Sequence, residues 1–205
     1  MALVSDPDRP RRRRRTPEEA RAEILAAASE LLTDRRSELT VAAIMERTTL
    51  SRKSFYVHFR DRAELMTCLV APLRRGADEA LERWRTADDP IVAGRAALRS
   101  AAHAYRLHGA VLRALASAAE RDPEIAVAWA GFVDPVVDLG TRTITDAVAA
   151  GTSTGLDPGR TARALVTMNV HCLLGLEPDA SDAELEALVT TLAAVWERTI
   201  YATTA

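Results

Sequence analysis

Cysteine is nearly absent: Cys68 and Cys172 are the only two. That is too few for a disulfide framework, and a reducing cytoplasm is the expected setting. Aromatic residues make up 4% of the chain, and glycine and proline number nine each, which excludes collagen-like and low-complexity compositions. No apolar run approaches the ~18–20 residues of a membrane span. A basic stretch, Arg9 and Arg11 to Arg15, is followed by no apolar segment, so it does not read as a secretory signal. There is no phosphate-binding Gly-Lys motif and no His-Glu-x-x-His zinc motif. His171 and Cys172 are adjacent, hence about 100° apart on a helix, and do not converge on a metal. Gly151-Thr152-Ser153-Thr154-Gly155 has the spacing of a nucleophile elbow, but no strand precedes it. No enzyme, metal site or cofactor is expected.

What the chain does contain is apolar and helical. Of 205 residues 48% are apolar and 27% charged, the balance of a soluble globular protein. Alanine is about a fifth of the sequence, which favours helix. The net charge of −2 hides an asymmetry. Residues 1–62 carry 14 basic and 10 acidic side chains, a net of +4, and the remainder a net of −6. A basic end on an acidic body suits a polyanion, unless the arm is merely solvated.

Punctuation residues divide the sequence into about nine helices. Thr16-Pro17-Glu18-Glu19 is a capping box with proline at the first helical position, opening a helix to about Arg35. Thr40 caps a short second helix, and Thr48 to Ser51 breaks it. Ser51 is expected to cap a third, Arg52 to Phe59, and Asp61 with Glu64 a fourth, to about Thr86. Helices then follow over Ile91 to Leu107, Ala110 to Arg121, and Asp122 to Ala150, where Pro135 should kink or split the chain. Asp157-Pro158 starts the next, to about Gly175. Ser181 with Glu184 boxes the last, to about Tyr201. No strand alternation and no repeat is visible, so the fold class is all-α.

The second and third helices have helix-turn-helix dimensions. At 100° per residue, Phe55 and Phe59 share the core face of the third helix while Lys53, Ser54 and Val57 point away from it. Lys53 and Ser54 can reach base edges, and Val57 can meet a thymine methyl. Arg52, Tyr56 and His58 flank that face, with Arg52 and Tyr56 suited to phosphates. Thr40 and Arg62 begin the neighbouring helices and can clamp the backbone on either side.

Residues 24–69 resemble the N-terminal domain of the TetR family of transcriptional regulators. The resemblance lies in Ile24-Leu25-Ala26-Ala27-Ala28, in Ser51-Arg52-Lys53-Ser54-Phe55-Tyr56-Val57-His58-Phe59, and in Arg62-Ala63-Glu64-Leu65. More weakly, the C-terminal half is similar to the subgroup of the mycobacterial regulator of ethionamide activation, through His108-Gly109-Ala110-Val111, Trp129 with Phe132, Met168-Asn169, and Trp196 with Ile200-Tyr201. The family resemblance implies a homodimeric, usually repressing regulator, with a palindromic double-stranded operator released by a small molecule. It implies DNA contacts from Thr40, Ser51, Arg52, Ser54 and Tyr56. It also implies dimerisation through the last two helices, with Leu185, Leu188 and Leu192 in the seam. Two positions depart from the family pattern: Lys53 stands where a small residue is usual, and Thr49 where the turn often has glycine, so the turn must avoid a positive φ or carry some strain.

These readings divide the chain into a flexible arginine-rich arm (1–15), a DNA-binding domain (16–62) and an effector-binding and dimerisation domain (63–205). The arm, with Arg11, Arg12, Arg13, Arg14 and Arg15, can follow phosphates or a narrow minor groove. The effector pocket is expected to be mostly apolar and to suit an uncharged, lipophilic molecule. Its candidate residues are Tyr105, Trp129, Phe132, Met168, Asn169 and Trp196, with Trp84 a further wall. Asn169, the only asparagine in a chain without glutamine, sits among apolar neighbours. It either orients a ligand or bonds a backbone carbonyl as a structural amide. The residues leave open a thiol-triggered or ligand-independent regulator, and activation in place of repression.

Overall fold

Side-chain caps start most of the helices, as the sequence predicts. In the computed structural model, which describes residues 15–33, 39–153 and 157–201, eight helices account for nearly all of the described chain, and no strand occurs among those residues. They are α1 (Pro17–Thr33), α2 (Val41–Glu46), α3 (Arg52–His58), α4 (Arg62–Arg85), α5 (Pro90–Ala119), α6 (Pro123–Ala149), α7 (Pro158–Leu174) and α8 (Asp182–Tyr201). Thr16 and Glu19 form a reciprocal box, with N···O distances of 2.9 and 3.1 Å. Thr40 Oγ1 accepts from the Ala43 N–H, Asp61 from Glu64, and Asp157 from Arg160. Ser181 and Glu184 repeat the box at the start of α8.

One local reading is corrected. Ser51 occupies the cap position of α3 but makes no cap bond. Its hydroxyl pairs instead with that of Ser54 at 3.0 Å. The two helices expected over 91–121 are both present within α5: the chain leaves helical geometry at His108 (φ −122°, ψ 17°) and kinks there. Just past the kink Arg113 donates to the carbonyls of Leu174 and Leu176 at 3.0 and 3.3 Å, which ties the second half of α5 to the end of α7. Its guanidinium crosses Gly109, where an added Cβ would lie 3.1 Å from Nη1. Of the two outcomes expected at Pro135, splitting does not occur: α6 runs through it as one helix. One missing backbone donor is tolerated there by packing on its neighbours.

Three apolar clusters hold the molecule together. The first joins α1, α2 and α3 to the start of α4 through Ile24, Ala28, Leu31, Ile44, Phe55, Phe59 and Leu65. A second fills the bundle of α4, α5, α7 and α8, with Met66, Ala102, Leu112, Leu115, Leu185 and Val189 at its centre. The third lies between α6, α7 and the end of α8, around Ile144, Ala162, Val166 and Ile200. Adjacent residues of α4, Leu65 and Met66, belong to different clusters, and both are fully buried. The connecting helix is thus embedded in both halves of the molecule.

Candidate nucleic-acid interface and effector cavity

The short α3 is seated by its phenylalanines. Phe55 and Phe59 are buried, with ring centroids 5.6 Å apart. Arg21 of α1 lies over Phe59, 4.2 Å from the ring centre, and donates to the His58 carbonyl. With one face fixed, the opposite face is turned outward. Val57 and Tyr56 are 77% and 61% exposed, unusual for apolar side chains of their size. Ser51, Arg52 and Lys53 are exposed, and Ser54 and His58 half-buried. Lys53 is the only lysine of the chain. Neither Arg52 nor Lys53 is engaged in an ion pair among the described residues. The first N–H groups of α3 also lack a side-chain cap. The result is a surface of free donors and positive charge with one methyl-bearing residue, chemistry that fits base edges and phosphates.

The turn before α3 is held from behind. Glu23 of α1 accepts from the Thr49 N–H at 2.6 Å and from its hydroxyl at 2.9 Å. Arg15 pairs with Glu23 at 3.2 Å and also bonds Thr49. The Thr49 amide, its hydroxyl and Arg15 together hold the Glu23 carboxyl below its usual range, against some desolvation. No non-glycine residue has a positive φ among the described residues, so Thr49 replaces a turn glycine without strain. Of the arginines in the arm, Arg15 is placed here, and Arg11 to Arg14 lie outside the described residues.

Thr40 and Arg62 are already occupied. The Thr40 hydroxyl accepts as a cap, leaving its proton free to donate. Arg62 donates to the Leu39 carbonyl at 3.2 Å and to Asp122 Oδ2 at 3.1 Å. Its guanidinium is therefore a tie from the start of α4 to the corner between α5 and α6, a role that spacing along the sequence cannot reveal.

Beyond the tie, the bundle encloses a cavity of about 270 Å³. Its walls are Leu73, Ala77, Ala80 and Trp84 of α4; Gly94, Leu98, Ala101 and Tyr105 of α5; Phe132 and Val136 of α6; Val166, Asn169 and Leu173 of α7; and Ala193, Trp196 and Ile200 of α8. Four of the six sequence-predicted pocket residues are on this wall: Tyr105, Phe132, Asn169 and Trp196. Two are not. Trp129 stacks behind Phe132, centroids 5.9 Å apart, and Met168 packs between two core clusters. Asn169 Oδ1 is buried without a hydrogen-bond partner; the structural-amide reading concerns its Nδ2 donor and stands beside the ligand reading. Burial raises the Tyr105 phenol well above its usual value, so it stays protonated. Sequence reasoning missed the ion pair of Arg95 with Glu197 (2.6 Å) on the lining. No local pattern links residues so far apart in the chain.

The three leucines expected in a dimer seam are corrected. Leu185 and Leu192 are buried within the chain's own core, and Leu188 packs against it half-buried. Packing of α8 on α5 of the same chain leaves Leu185 and Leu192 no exposed face for a seam. Among the described residues no helix is long and apolar enough to cross a membrane, and no three His, Cys, Asp or Glu side chains are grouped to hold a metal.

Comparison with known proteins agrees with this geometry. Residues 24–67 match the family model described as bacterial regulatory proteins, tetR family. Residues 94–202, more than half of the chain, match that of the transcriptional regulator EthR, C-terminal domain. An HTH-type transcriptional regulator EthR from Mycolicibacterium smegmatis is 27% identical, across 99% of this chain and 97% of that one. The fold is shared with NalD of Pseudomonas aeruginosa, described as the secondary repressor of a multidrug efflux pump. The TM-score is 0.69 at 20% identity, over 92% of this chain and 99% of that one. It is also shared with the TetR-family regulator PfmR of Thermus thermophilus, at TM-score 0.66 and 18% identity, over 86% and 96% of the two chains. The chain belongs to the TetR family of bacterial DNA-binding transcriptional regulators, with a C-terminal domain of the EthR type.

Proposed function

We propose that the protein is a cytoplasmic, homodimeric repressor that leaves a palindromic operator when an uncharged, lipophilic effector fills the bundle cavity. The observation that carries this reading is the double membership of α4. Leu65 is part of the core that seats α3, and Leu73 to Trp84 of the same helix form a wall of the cavity. A ligand that favours a different tilt of α4 shifts the reader's population by its differential affinity for the two states. The fold shared with a protein described as a repressor supports the sign of the effect.

The residues proposed to touch DNA are Thr40, Ser51, Arg52, Lys53, Ser54, Tyr56 and His58, with Arg62 joining when it leaves Asp122. Arg11 to Arg15 add affinity without sequence preference. Those proposed to touch the effector are Tyr105, Phe132, Asn169 and Trp196. The division into residues 1–15, 16–62 and 63–205 follows from the same reading, α4 crossing the second boundary. Dimerisation is assigned to the outward faces of α7 and α8. There Ala164, Thr167, Ala187, Thr191 and Val195 are exposed, small enough for close helix approach.

The test is binding of the purified protein to its own upstream intergenic DNA, at two salt concentrations, beside a scrambled duplex. Selective binding that survives the higher salt and weakens for Lys53→Ala is the expected result. Equal, salt-sensitive affinity for both duplexes would overturn the operator reading.

A further inference from the structure

Two buried rings leave α3 one freedom. It is a helix of seven residues, too short to stand without its surroundings. Phe55 and Phe59 fix which face is buried, but both lie on one side of the helix axis. The helix can still rock about the line that joins them. Ties away from that line set the angle at which the outer face meets DNA. At the front, Glu23 of α1 holds Thr49 of the preceding turn. At the back the tie is Arg21, two residues earlier on α1.

Arg21 joins α1 to both α3 and α4. Its guanidinium covers the Phe59 ring, 4.2 Å from the centroid. Nη1 donates to the His58 carbonyl, at the C-terminal end of α3, where the helix dipole favours a cation. Nη2 is turned to α4: it donates to Cys68 Sγ at 2.8 Å and lies 4.0 Å from Glu64 Oε1. Glu64 and Cys68 are four residues apart, so they share one face of α4. The Glu64 carboxyl accepts from the Arg60 amide at 2.9 Å and from its guanidinium at 3.2 Å. Those bonds, with the charges of Arg60 and Arg21, hold it below its usual range against some desolvation. Glu64 is therefore an anion facing Arg21 at neutral pH. The two terminal nitrogens of one rigid fork bind two different helices.

We propose that Arg21 is a positioning residue of the reader: by bridging the end of α3 to α4 it sets the angle of the recognition face, and with it the selectivity for operator over other DNA. The proposal rests on α3 as the element that reads bases. Arg21 itself touches neither base nor phosphate. Non-specific binding needs only charge, whereas base contacts need α3 at one angle, so losing the bridge weakens the second and spares the first. A reader aligned for part of the time binds its operator more weakly by that fraction.

The experiment uses the full-length protein and a duplex that it enriches from a random pool, beside a scrambled duplex. Arg21→Met keeps an apolar stem over Phe59 and removes both donors. Affinity for the enriched duplex should fall by about tenfold or more, the worth of a hydrogen bond to a charged group. Affinity for the scrambled duplex should stay within about twofold, and the log–log salt slope should not change, because no phosphate contact is lost. Arg21→Lys should recover only part of the loss, since one ammonium cannot serve both helices. Glu64→Gln and Cys68→Ala should each lower selectivity on their own and have no further effect in the Arg21→Met background. Ile44→Val, a buried change in the same core, is the control: it should lower Tm and leave selectivity unchanged. An equal loss of selectivity in Ile44→Val would overturn positioning in favour of general loosening. A slope flatter by about 0.9 in Arg21→Met would make Arg21 a phosphate contact instead, and full recovery by Arg21→Lys would overturn the bridge. An enriched duplex bound equally by the wild type and Arg21→Met would overturn the role of Arg21 and leave α3 as the reader. A wild type that enriches no sequence would overturn the reader and this proposal with it.

Discussion

Replacing Asp122 by asparagine removes the anion that holds Arg62, and the consequences differ for stability and for DNA. The pair is half-open: the two side chains are 44% and 27% exposed, with N···O at 3.1 Å. Pairs of that kind contribute about 0.2–1 kcal/mol, and partial burial places this one in the upper half of the range. Arg62→Ala should cost more, about 1–2 kcal/mol, because it also gives up the bond to the Leu39 carbonyl. A double-mutant cycle on urea unfolding isolates the pair. Salt titration of operator binding reads the second consequence. An Arg62 released from Asp122 is free to neutralise one more phosphate, so the log–log salt slope should steepen by about 0.9 in Asp122→Asn. The variant should therefore be slightly less stable and bind DNA more tightly at low salt. A coupling energy indistinguishable from zero would refute the tie. An unchanged slope beside a measurable coupling would remove Arg62 from the set of phosphate contacts and leave it a purely internal strut.

Phe55 is completely buried at the centre of the reader's core, so Phe55→Ala should cost about 3–5 kcal/mol. Thermal unfolding by circular dichroism checks this, and a loss below about 1 kcal/mol would mean α3 is seated by something else. Lys53→Ala should relax discrimination at one base-pair position by about 1–3 kcal/mol, seen as a flattened affinity profile over single-base operator variants; a uniform loss across all variants would reassign Lys53 to a phosphate. Because the Glu23 carboxyl is held below its usual range in the folded state, its contribution is present above the unfolded value and disappears as pH falls through the folded one. Glu23→Gln should therefore be less stable than the wild type at neutral pH, by about 1–2 kcal/mol, with the gap closing in acid below the usual glutamate range. A gap that persists at low pH would contradict the sign of that shift.

The local chemistry of the chain was legible and its long-range pairing was not. Thr16, Thr40, Asp61, Asp157 and Ser181 cap helices where their side chains announce it, since a cap is decided within four residues. Phe55 and Phe59 fell on the core side of α3 because four residues bring a helix back to one face. The apolar stripe of α8 was equally visible, but periodicity states only that a face is buried. Whether Leu185, Leu188 and Leu192 meet the same chain or a second copy depends on where α5 lies. Trp129 and Phe132 pose the same problem at the cavity. Both are aromatic and three residues apart, and only packing decides which ring forms the wall and which supports it. Arg62 with Asp122, and Arg113 with the end of α7, pair over 60 residues of sequence or more, beyond any local signal.

Pro72 lies inside α4, and because proline has no N–H, the carbonyl of Cys68 receives no helical bond from it. The reader-side segment, Arg62 to Pro72, is about 15 Å long, and the cavity wall begins where it ends. The helix is therefore a jointed beam with its softest section at the border between the two loads it carries. A flexure of about 10° at that joint swings the Arg62 end through about 2.5 Å. In a symmetric pair the two displacements add to about 5 Å, more than the 3.4 Å step between successive base pairs. In the homodimer proposed above, small angular play at one missing rung would amount to a full step of register along the duplex.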